Sequence, residues 1–290
     1  MIKWTVKKSE ENLALIEYLQ GRIEGAPLSY LRQIIRKNRV SCNAAACSEE
    51  TLLQPGDIIT LPESKRIKEF LSGAGSRMVR LFESDNILIV HKPAGLATHS
   101  SRNHEHDNLV DRVARDMKAD GKTFMVSAIH RLDLPTSGPV LFGKGRKSIS
   151  ALGKMMQESK IRKKYLALIT RGLQEKGLIS THIVSKGKIK HAETRYRIIE
   201  EVDNLALVEL ELETGRQHQL RKQLSDEGYP IAGDNRYRGV NVPGLDRLFL
   251  HCHYLELTDP FNDQRINLND PLPAPLTQVL TRQGFSFNAG

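Results

Sequence analysis

The N-terminal part of the chain, residues 1–62, alternates short helical and extended patterns. Apolar residues at helical spacing predict a first helix capped by Ser9 and a second helix over the stretch SYLRQIIRKN. We expect the buried faces to be Leu13, Ile16 and Leu19 in the first helix and Leu31, Ile34 and Ile35 in the second. A strand near Val40, the turn QPGD and the strand IITL complete the pattern of a small α/β domain.

Residues 63–80 show no sustained hydrophobic period and contain the tract SGAGS, a composition typical of a linker. Beyond them, short apolar runs alternate with a few helical segments. The clearest strand is ALVELELETG, in which Val208, Leu210 and Leu212 alternate with glutamates. One face of the strand is therefore predicted to be buried and the other exposed to solvent. A helix then ends at Gly228. Residues 81–290 therefore form one mixed α/β domain in this interpretation.

The composition indicates a globular protein with a preference for polyanions. The chain has 43 Lys and Arg against 34 Asp and Glu, a net charge of +9. No apolar run approaches the ~20 residues of a membrane span, and the start of the chain lacks a secretion signal, so we expect a cytoplasmic protein without a membrane partner. The three cysteines, Cys42, Cys47 and Cys252, support neither a disulfide framework nor a zinc site.

One carboxylate stands out in the stretch HRLDLPTSG, residues 130–138. Asp133 lies between two predicted strands, on a loop closed by turn-forming residues, and such rigidly held loops often carry catalytic groups. On its own, the same aspartate is better explained as the cap of a turn. A kinase loop is excluded because the leucine displaces the aspartate and no glycine-rich loop precedes it.

Two other motifs lack the residue spacing of the sites they suggest. GKGRKS at 143–148 lacks the spacing of a phosphate-binding P-loop. The histidines 99, 104 and 106 lie on a loop without the fixed spacing of a metal site, so no metal ligand is assigned.

HRLDLPTSG resembles the signature of the RluA family of RNA pseudouridine synthases, and further blocks of that family follow in order. The blocks are HKPAGL at 91–96, KKYLA at 163–167, A-x-T-x-Y at 192–196, L-x-T-G-R-x-H-Q-L-R at 212–221, GYPIAGD at 228–234 with Tyr237, and Leu250 with His251. The resemblance implies a pseudouridine-synthase fold of the α+β class, with a central mixed, largely antiparallel sheet.

The first 62 residues are similar to the S4 RNA-binding domain, through LRQIIRKNRVSCN and the later shape L-x-x-G-D-x-I. Asn43 is followed by Ala44, where that domain usually has glycine. The resemblance implies RNA contacts from a basic helix surface, although a charged stripe on a helix is more often simply solvated. The residues assigned to it are Arg32, Arg36, Lys37 and Arg39.

The family resemblance also implies roles in the catalytic domain. Asp133 would be the reacting carboxylate, Arg216 of TGR its cationic partner, and Tyr165 the ring that packs against the target base. Leu250 would line the other side of the uracil, and Arg131 would take part in extruding the nucleotide. His130 and Thr136 complete the predicted substrate-binding set. Gln217, Lys222 and Gln223 depart from the family pattern, which puts target choice in doubt more than chemistry.

The sequence therefore predicts a monomeric isomerase that converts specific uridines to pseudouridine in structured RNA, most readily ribosomal RNA of the large subunit, with neither a cofactor nor a metal. Two other interpretations stay open. One is a non-catalytic RNA-binding or ribosome-assembly protein on the same fold. The other is a hydrolase that uses Asp133 with a second carboxylate, although no motif supplies that carboxylate.

Overall fold

The computed structural model describes residues 1–23, 26, 28–71, 77–100, 108–185 and 187–287. The chain folds as two compact units. One comprises Met1–Met78 and His99–Asp116, and the other comprises Val79–Thr98 and Met117–Gly290.

The first unit is a four-stranded antiparallel sheet with helices, in the strand order β1-β4-β2-β3. Its elements are β1 (Ile2–Thr5), α1 (Leu15–Arg22), α2 (Leu28–Arg36), β2 (Ser41–Cys42), β3 (Ala45–Ala46), β4 (Ile58–Leu61), α3 (Lys65–Leu71) and the start of α4 (Leu109–Ala119). Leu31, Ile34 and Ile35 of α2 are buried in its core, which confirms the predicted inward face of that helix.

Two predictions for the N-terminal region are wrong. Ser9 does not cap the first helix, because residues Lys8–Glu10 form a single 3-10 turn and α1 begins only at Leu15. Residues of the predicted linker, 63–80, form α3, whose Ile67 and Phe70 are buried in the same core as α2. Two apolar residues three positions apart were too short a pattern to predict that helix. The tract SGAGS lies outside the described residues.

The second unit contains two antiparallel sheets. One has six strands in the order β10-β11-β12-β9-β13-β14, and the other has four in the order β5-β6-β8-β7. Its elements are β5 (Arg80–Glu83), β6 (Ile87–Lys92), β7 (Val126–Ala128), β8 (Gly138–Lys144), α5 (Gly145–Gln157), β9 (Arg162–Thr170), β10 (Lys176–Ser185), β11 (Lys188–Val202), β12 (Leu205–Leu212), α6 (Gln219–Asp226), β13 (Leu250–Thr258), β14 (Arg265–Asn269) and α7 (Ala274–Arg282).

The two sheets meet where β8 begins. A single parallel bridge joins Ser137 to His251 of β13, and Cys252 N donates to Ser137 O at 2.8 Å. Gly138 follows with φ +134°, and a Cβ atom there would lie 2.3 Å from Cys252 O. Only glycine permits both this backbone conformation and this close approach. Gly138, which ends the HRLDLPTSG stretch, thus fixes the loop that carries Asp133 against the six-stranded sheet.

The observed strands confirm a largely antiparallel α+β fold, with two departures in detail. The hairpin of β10 and β11 was not predicted. The prediction of a solvent-exposed face on β12 is wrong at Glu209, which is buried and accepts a hydrogen bond from Lys164 Nζ at 3.1 Å. The strands on either side of β12 supply cations that compensate the burial, Lys164 from β9 and Arg197 from β11. In the described part of the chain, no helix has both the length and the apolar character needed to cross a lipid bilayer.

Candidate active site

A cavity of about 380 Å³ opens in the second unit beside the loop of residues 130–136. Its walls come from that loop, from β9, from the turn between β12 and α6, from α6 itself and from the start of β13. The volume lies within the range of about 300–1,000 Å³ that small-molecule sites occupy. Of the predicted site residues in this domain, all seven line it: His130, Arg131, Asp133, Thr136, Tyr165, Arg216 and Leu250.

Asp133 is held at the cavity by a short turn. Thr136 N donates to Asp133 O at 3.0 Å, and Leu132 beside it is buried, with Thr98 Oγ1 donating to Leu132 O at 2.9 Å. The side chain of Asp133 is 17% exposed. The carboxylate is therefore largely removed from bulk water, and it needs a nearby positive charge to offset the lost hydration.

Arg221 of α6 supplies that charge. Its Nη1 lies 3.4 Å from Asp133 Oδ2, while Nε and Nη2 donate to the two oxygens of Asp234 at 2.7 and 2.8 Å. Asp234 Oδ1 also accepts from the backbone N–H groups of Arg236 and Tyr237. Burial of Asp234 works against ionisation, but the Arg221 hydrogen bonds outweigh it and lower the pKa of that carboxyl. The guanidinium is thus fixed in one orientation beside Asp133.

Arg216, the predicted partner of Asp133, does not occupy that position. It lines the cavity, but its Nε donates to the backbone of β11, at His191 O, at 2.9 Å. The reason is the turn before α6, where His218 has φ +55° and redirects the chain. This turn places Arg221 inside the cavity, and the prediction of Arg216 as the partner is wrong.

His218 is a second group near the carboxylate. Its Nε2 lies 3.9 Å from Asp133 Oδ1, and its Nδ1 is 3.1 Å from Tyr237 Oη. Desolvation lowers the pKa of His218, against the opposing effect of the Asp133 charge. Neither His218 nor Arg221 was singled out from the sequence, although both lie inside the quoted block L-x-T-G-R-x-H-Q-L-R. The sequence did carry one signal for Arg221. Leu220 and Leu224 have helical spacing and are buried, and Arg221 lies next to them on the inward side of α6.

Tyr165 and Leu250 form apolar walls of the cavity. Tyr165 is 5% exposed on the central strand β9, and Leu250 is 3% exposed at the start of β13, which pairs with β9. Burial raises the pKa of Tyr165 well above its ordinary value, so its hydroxyl stays protonated. A flat ring and an aliphatic side chain facing one cavity are suited to hold a planar base.

The other predicted substrate-binding residues differ in burial and hydrogen bonding. His130 accepts a hydrogen bond from Leu141 N at 3.2 Å through Nε2, and desolvation lowers its pKa to about 3, so the ring is neutral. Thr136 is buried, and within the described chain its Oγ1 has no hydrogen-bond partner. Arg131 is exposed at the cavity. Thr136 thus offers an unused polar atom, and Arg131 offers an exposed cation.

The three departures from the family pattern have distinct positions. Gln217 lines the cavity. Lys222 forms an exposed pair with Asp226 at 3.0 Å. Gln223 is buried, accepts from Thr194 Oγ1 at 2.6 Å and donates to Ile179 O and Ala192 O, and so ties α6 to the hairpin of β10 and β11. Of the three, only Gln217 is placed to touch a substrate.

No metal-binding cluster of His, Cys, Asp and Glu occurs in the ranges that the structure describes, and histidines 104 and 106 lie outside those ranges. The basic residues of α2 and the following turn are exposed. Arg32 and Arg36 share Glu49, at 2.7 and 3.8 Å. Lys37 and Arg39 form no ion pair with any described residue.

Comparisons with known proteins agree with this geometry. Residues 86–226 match the family model described as RNA pseudouridylate synthase. The chain is 34% identical over 213 residues to the uncharacterized RNA pseudouridine synthase YhcT of Bacillus subtilis, covering 69% of this chain and 70% of that protein. It is 28% identical over 305 residues to the ribosomal large subunit pseudouridine synthase C of Haemophilus influenzae, covering 96% of this chain and 94% of that protein.

Solved structures give the same fold. Human RNA Pseudouridylate Synthase Domain Containing 4 is 23% identical and superposes with a TM-score of 0.59, over 71% of this chain and 92% of that chain. Human RNA Pseudouridylate Synthase Domain Containing 1 superposes with a TM-score of 0.54. On the motifs, the sequence relatives and the fold together, the chain belongs to the RNA pseudouridine synthases, isomerases that convert uridine in RNA to pseudouridine.

Proposed function

We propose that this enzyme isomerises uridines in ribosomal RNA of the large subunit, with Asp133 as the reacting carboxylate. The observation that carries the proposal is the contact of Asp133 with the buried Arg221 at the edge of the cavity. The target class is supported by the printed name of the Haemophilus influenzae relative, which aligns over nearly its whole length. Such a target is compatible with a monomer in the cytoplasm and needs no cofactor.

The reaction breaks the bond from ribose C1′ to uracil N1 and forms one from C1′ to C5, and a proton moves from C5 to N1. A carboxylate close to C1′ can form a transient bond to that carbon or remove a proton. Arg221 is suited to support either role, because a guanidinium stays charged and its two bonds to Asp234 leave Nη1 for Asp133. A fixed positive charge therefore lies beside the carboxylate of Asp133.

Tyr165 and Leu250 would hold the uracil after extrusion from the RNA, which costs a few kcal/mol. Stacking on Tyr165 allows the detached base to turn, because a ring face imposes no direction within its plane. Arg131 is exposed beside the cavity, where its planar guanidinium can stack on the bases left behind. His130 and Thr136 are assigned to the base or its ribose.

The first unit would position the RNA. Its exposed residues Lys37 and Arg39 are available for phosphate contacts, which fix register without reading sequence, whereas Arg32 and Arg36 share Glu49 and would contact a phosphate only by leaving it. The two helices and antiparallel sheet that carry them support the S4-like assignment of residues 1–62.

The test is conversion of a bacterial large-subunit ribosomal RNA transcribed in vitro, which contains no pseudouridine. The wild-type enzyme should form pseudouridine at discrete positions, mapped by chemical sequencing. Asp133→Asn should bind the transcript with wild-type affinity and convert nothing. If the wild-type enzyme leaves every uridine unchanged, the target class is overturned, and an Asp133→Asn enzyme that still converts uridine overturns the role of Asp133.

A further inference from the structure

A second buried cation lines the same cavity and takes no part in the scheme above. Lys163 lies on β9 two residues before Tyr165, so both side chains point to the cavity face of the strand. Lys163 is 7% exposed. Within the described chain, no carboxylate pairs with it, and the acceptor of its ammonium is the thioether of Met156, at 3.3 Å. Because a thioether is a weak acceptor, at least two strong N–H donors remain unused.

Lys92 shows what a purely structural buried lysine looks like in this fold. It is fully buried, and its Nζ donates to three backbone carbonyls, those of Pro93, Leu96 and Leu134, at 3.0, 2.8 and 3.4 Å. Those contacts satisfy all three N–H groups and hold the loops together. Lys163 has no such carbonyl partners, and burial alone lowers the pKa of its ammonium. Burying an ammonium without strong hydrogen-bond acceptors costs free energy. A buried cation of this kind beside a cavity indicates a ligand that accepts its hydrogen bonds.

We propose that Lys163 is a specificity-determining residue that donates to the O4 carbonyl oxygen of the flipped uracil, an inference that rests on the function proposed above. Uracil and cytosine share the O2 carbonyl but differ at position 4, where cytosine carries an amino group. An ammonium has donors only, so the cytosine amino group would face it without an acceptor and leave two buried donors unpaired. The pocket thereby accepts uracil and rejects cytosine.

The same contact assists bond cleavage. When the C1′–N1 bond breaks, its electron pair stays on the base, and the negative charge is shared among N1, O2 and O4. A fixed cation at O4 stabilises that charge where it develops. The contact therefore strengthens between bound uridine and the detached base, so its loss lowers kcat more than it raises KM.

The experiment pairs protein variants with sulfur-substituted RNA. The large-subunit transcript is made with uridine, 4-thiouridine or 2-thiouridine triphosphate, and kcat/KM is measured on each for the wild type, Lys163→Met and Lys163→Gln. Sulfur is the weaker acceptor, so the wild type should lose roughly 10- to 100-fold on the 4-thio transcript relative to the 2-thio transcript. Lys163→Met should treat the two thio transcripts alike, because the donor is gone, and Lys163→Gln should retain part of the difference.

Lys164→Met is the matched control. Lys164 is the next residue on the strand, points to the opposite face and pairs with Glu209 at 3.1 Å, so its loss should leave the wild-type ratio of the two thio transcripts intact. A Lys163→Met enzyme that keeps the wild-type ratio overturns the proposal, and so does failure of both Lys163 variants to fold, which would make the lysine structural. Inactivity of the wild-type enzyme on the unmodified transcript refutes the proposed function itself and this inference with it.

Discussion

Arg221 donates Nε and Nη2 to the two carboxylate oxygens of Asp234 and keeps Nη1 for Asp133. The side chain of Asp234 is fully buried, and that of Arg221 is 8% exposed. Asp234 therefore acts on Asp133 through the guanidinium that it orients. The pair also binds the turn after α6 to the helix, because Asp234 accepts from two backbone N–H groups of that turn.

Loss of the Asp234 charge should unfold this region more readily. In Asp234→Asn, Arg221 remains as a buried cation without its bidentate partner, and we expect the free energy of unfolding in urea to fall by about 3–5 kcal/mol. Asp226→Asn is the control, because Asp226 is 54% exposed and its pair with Lys222 should contribute less than about 1 kcal/mol. Equal losses in the two variants would contradict the structural role of Asp234.

Arg221 and Arg216 should differ sharply in their effect on the reaction. Arg221→Met removes the cation beside Asp133, and the single-turnover rate of pseudouridine formation should fall by roughly 100- to 1,000-fold. Arg216→Met should change that rate by less than about tenfold, because Arg216 is bound to the backbone of β11 rather than to Asp133. The double variant Arg221→Met/Asp234→Asn leaves no unpaired buried charge at this pair and separates loss of activity from loss of fold. A larger loss in Arg216→Met than in Arg221→Met would reverse the assignment.

The sequence was sufficient to find the cavity but not the partner of Asp133. The turn residues after Asp133 predicted a rigid loop, and alternation predicted β12, because both signals are local. The choice between Arg216 and Arg221 depends on the left-handed conformation of His218, which nothing in the residue type demands. The burial of Glu209 depends on strands far apart in sequence, and the α3 helix depends on two apolar residues that only tertiary packing makes significant.

Acid should destabilise the second unit through a buried histidine. The Nδ1 of His251 lies 2.9 Å from Ser137 Oγ and its Nε2 lies 2.9 Å from Asp270 O, and burial lowers the pKa of the ring to about 4. An unfolded chain has a histidine pKa near 6.5, so below that pH the unfolded state binds a proton that the folded state excludes. Stability should be constant above about pH 6.5 and fall by roughly 1.4 kcal/mol per pH unit between about 6.5 and 4 from this residue.

The measurement is urea unfolding at pH 7 and pH 5. His251→Gln should lose about 2 kcal/mol less than the wild type over that interval, because glutamine takes up no proton. His191→Gln, at a side chain that is 49% exposed, should keep the wild-type pH dependence. A His251→Gln enzyme with an unchanged pH dependence would show that other groups govern acid unfolding.

The salt dependence of RNA binding should distinguish two parts of the basic surface on and after α2. Lys37 and Arg39 are exposed and form no ion pair with any residue that the structure describes, whereas Arg32 is paired with Glu49 at 2.7 Å. Each phosphate contact releases bound counterions, so Lys37→Ala/Arg39→Ala should lower the slope of log K against log salt concentration by about 1.4–1.8 on the large-subunit transcript. Arg32→Ala/Glu49→Ala removes a neutral pair and should leave the slope unchanged. An unchanged slope in the first variant would remove this surface from RNA binding, and a lowered slope in the second would show that Arg32 leaves Glu49 to contact a phosphate.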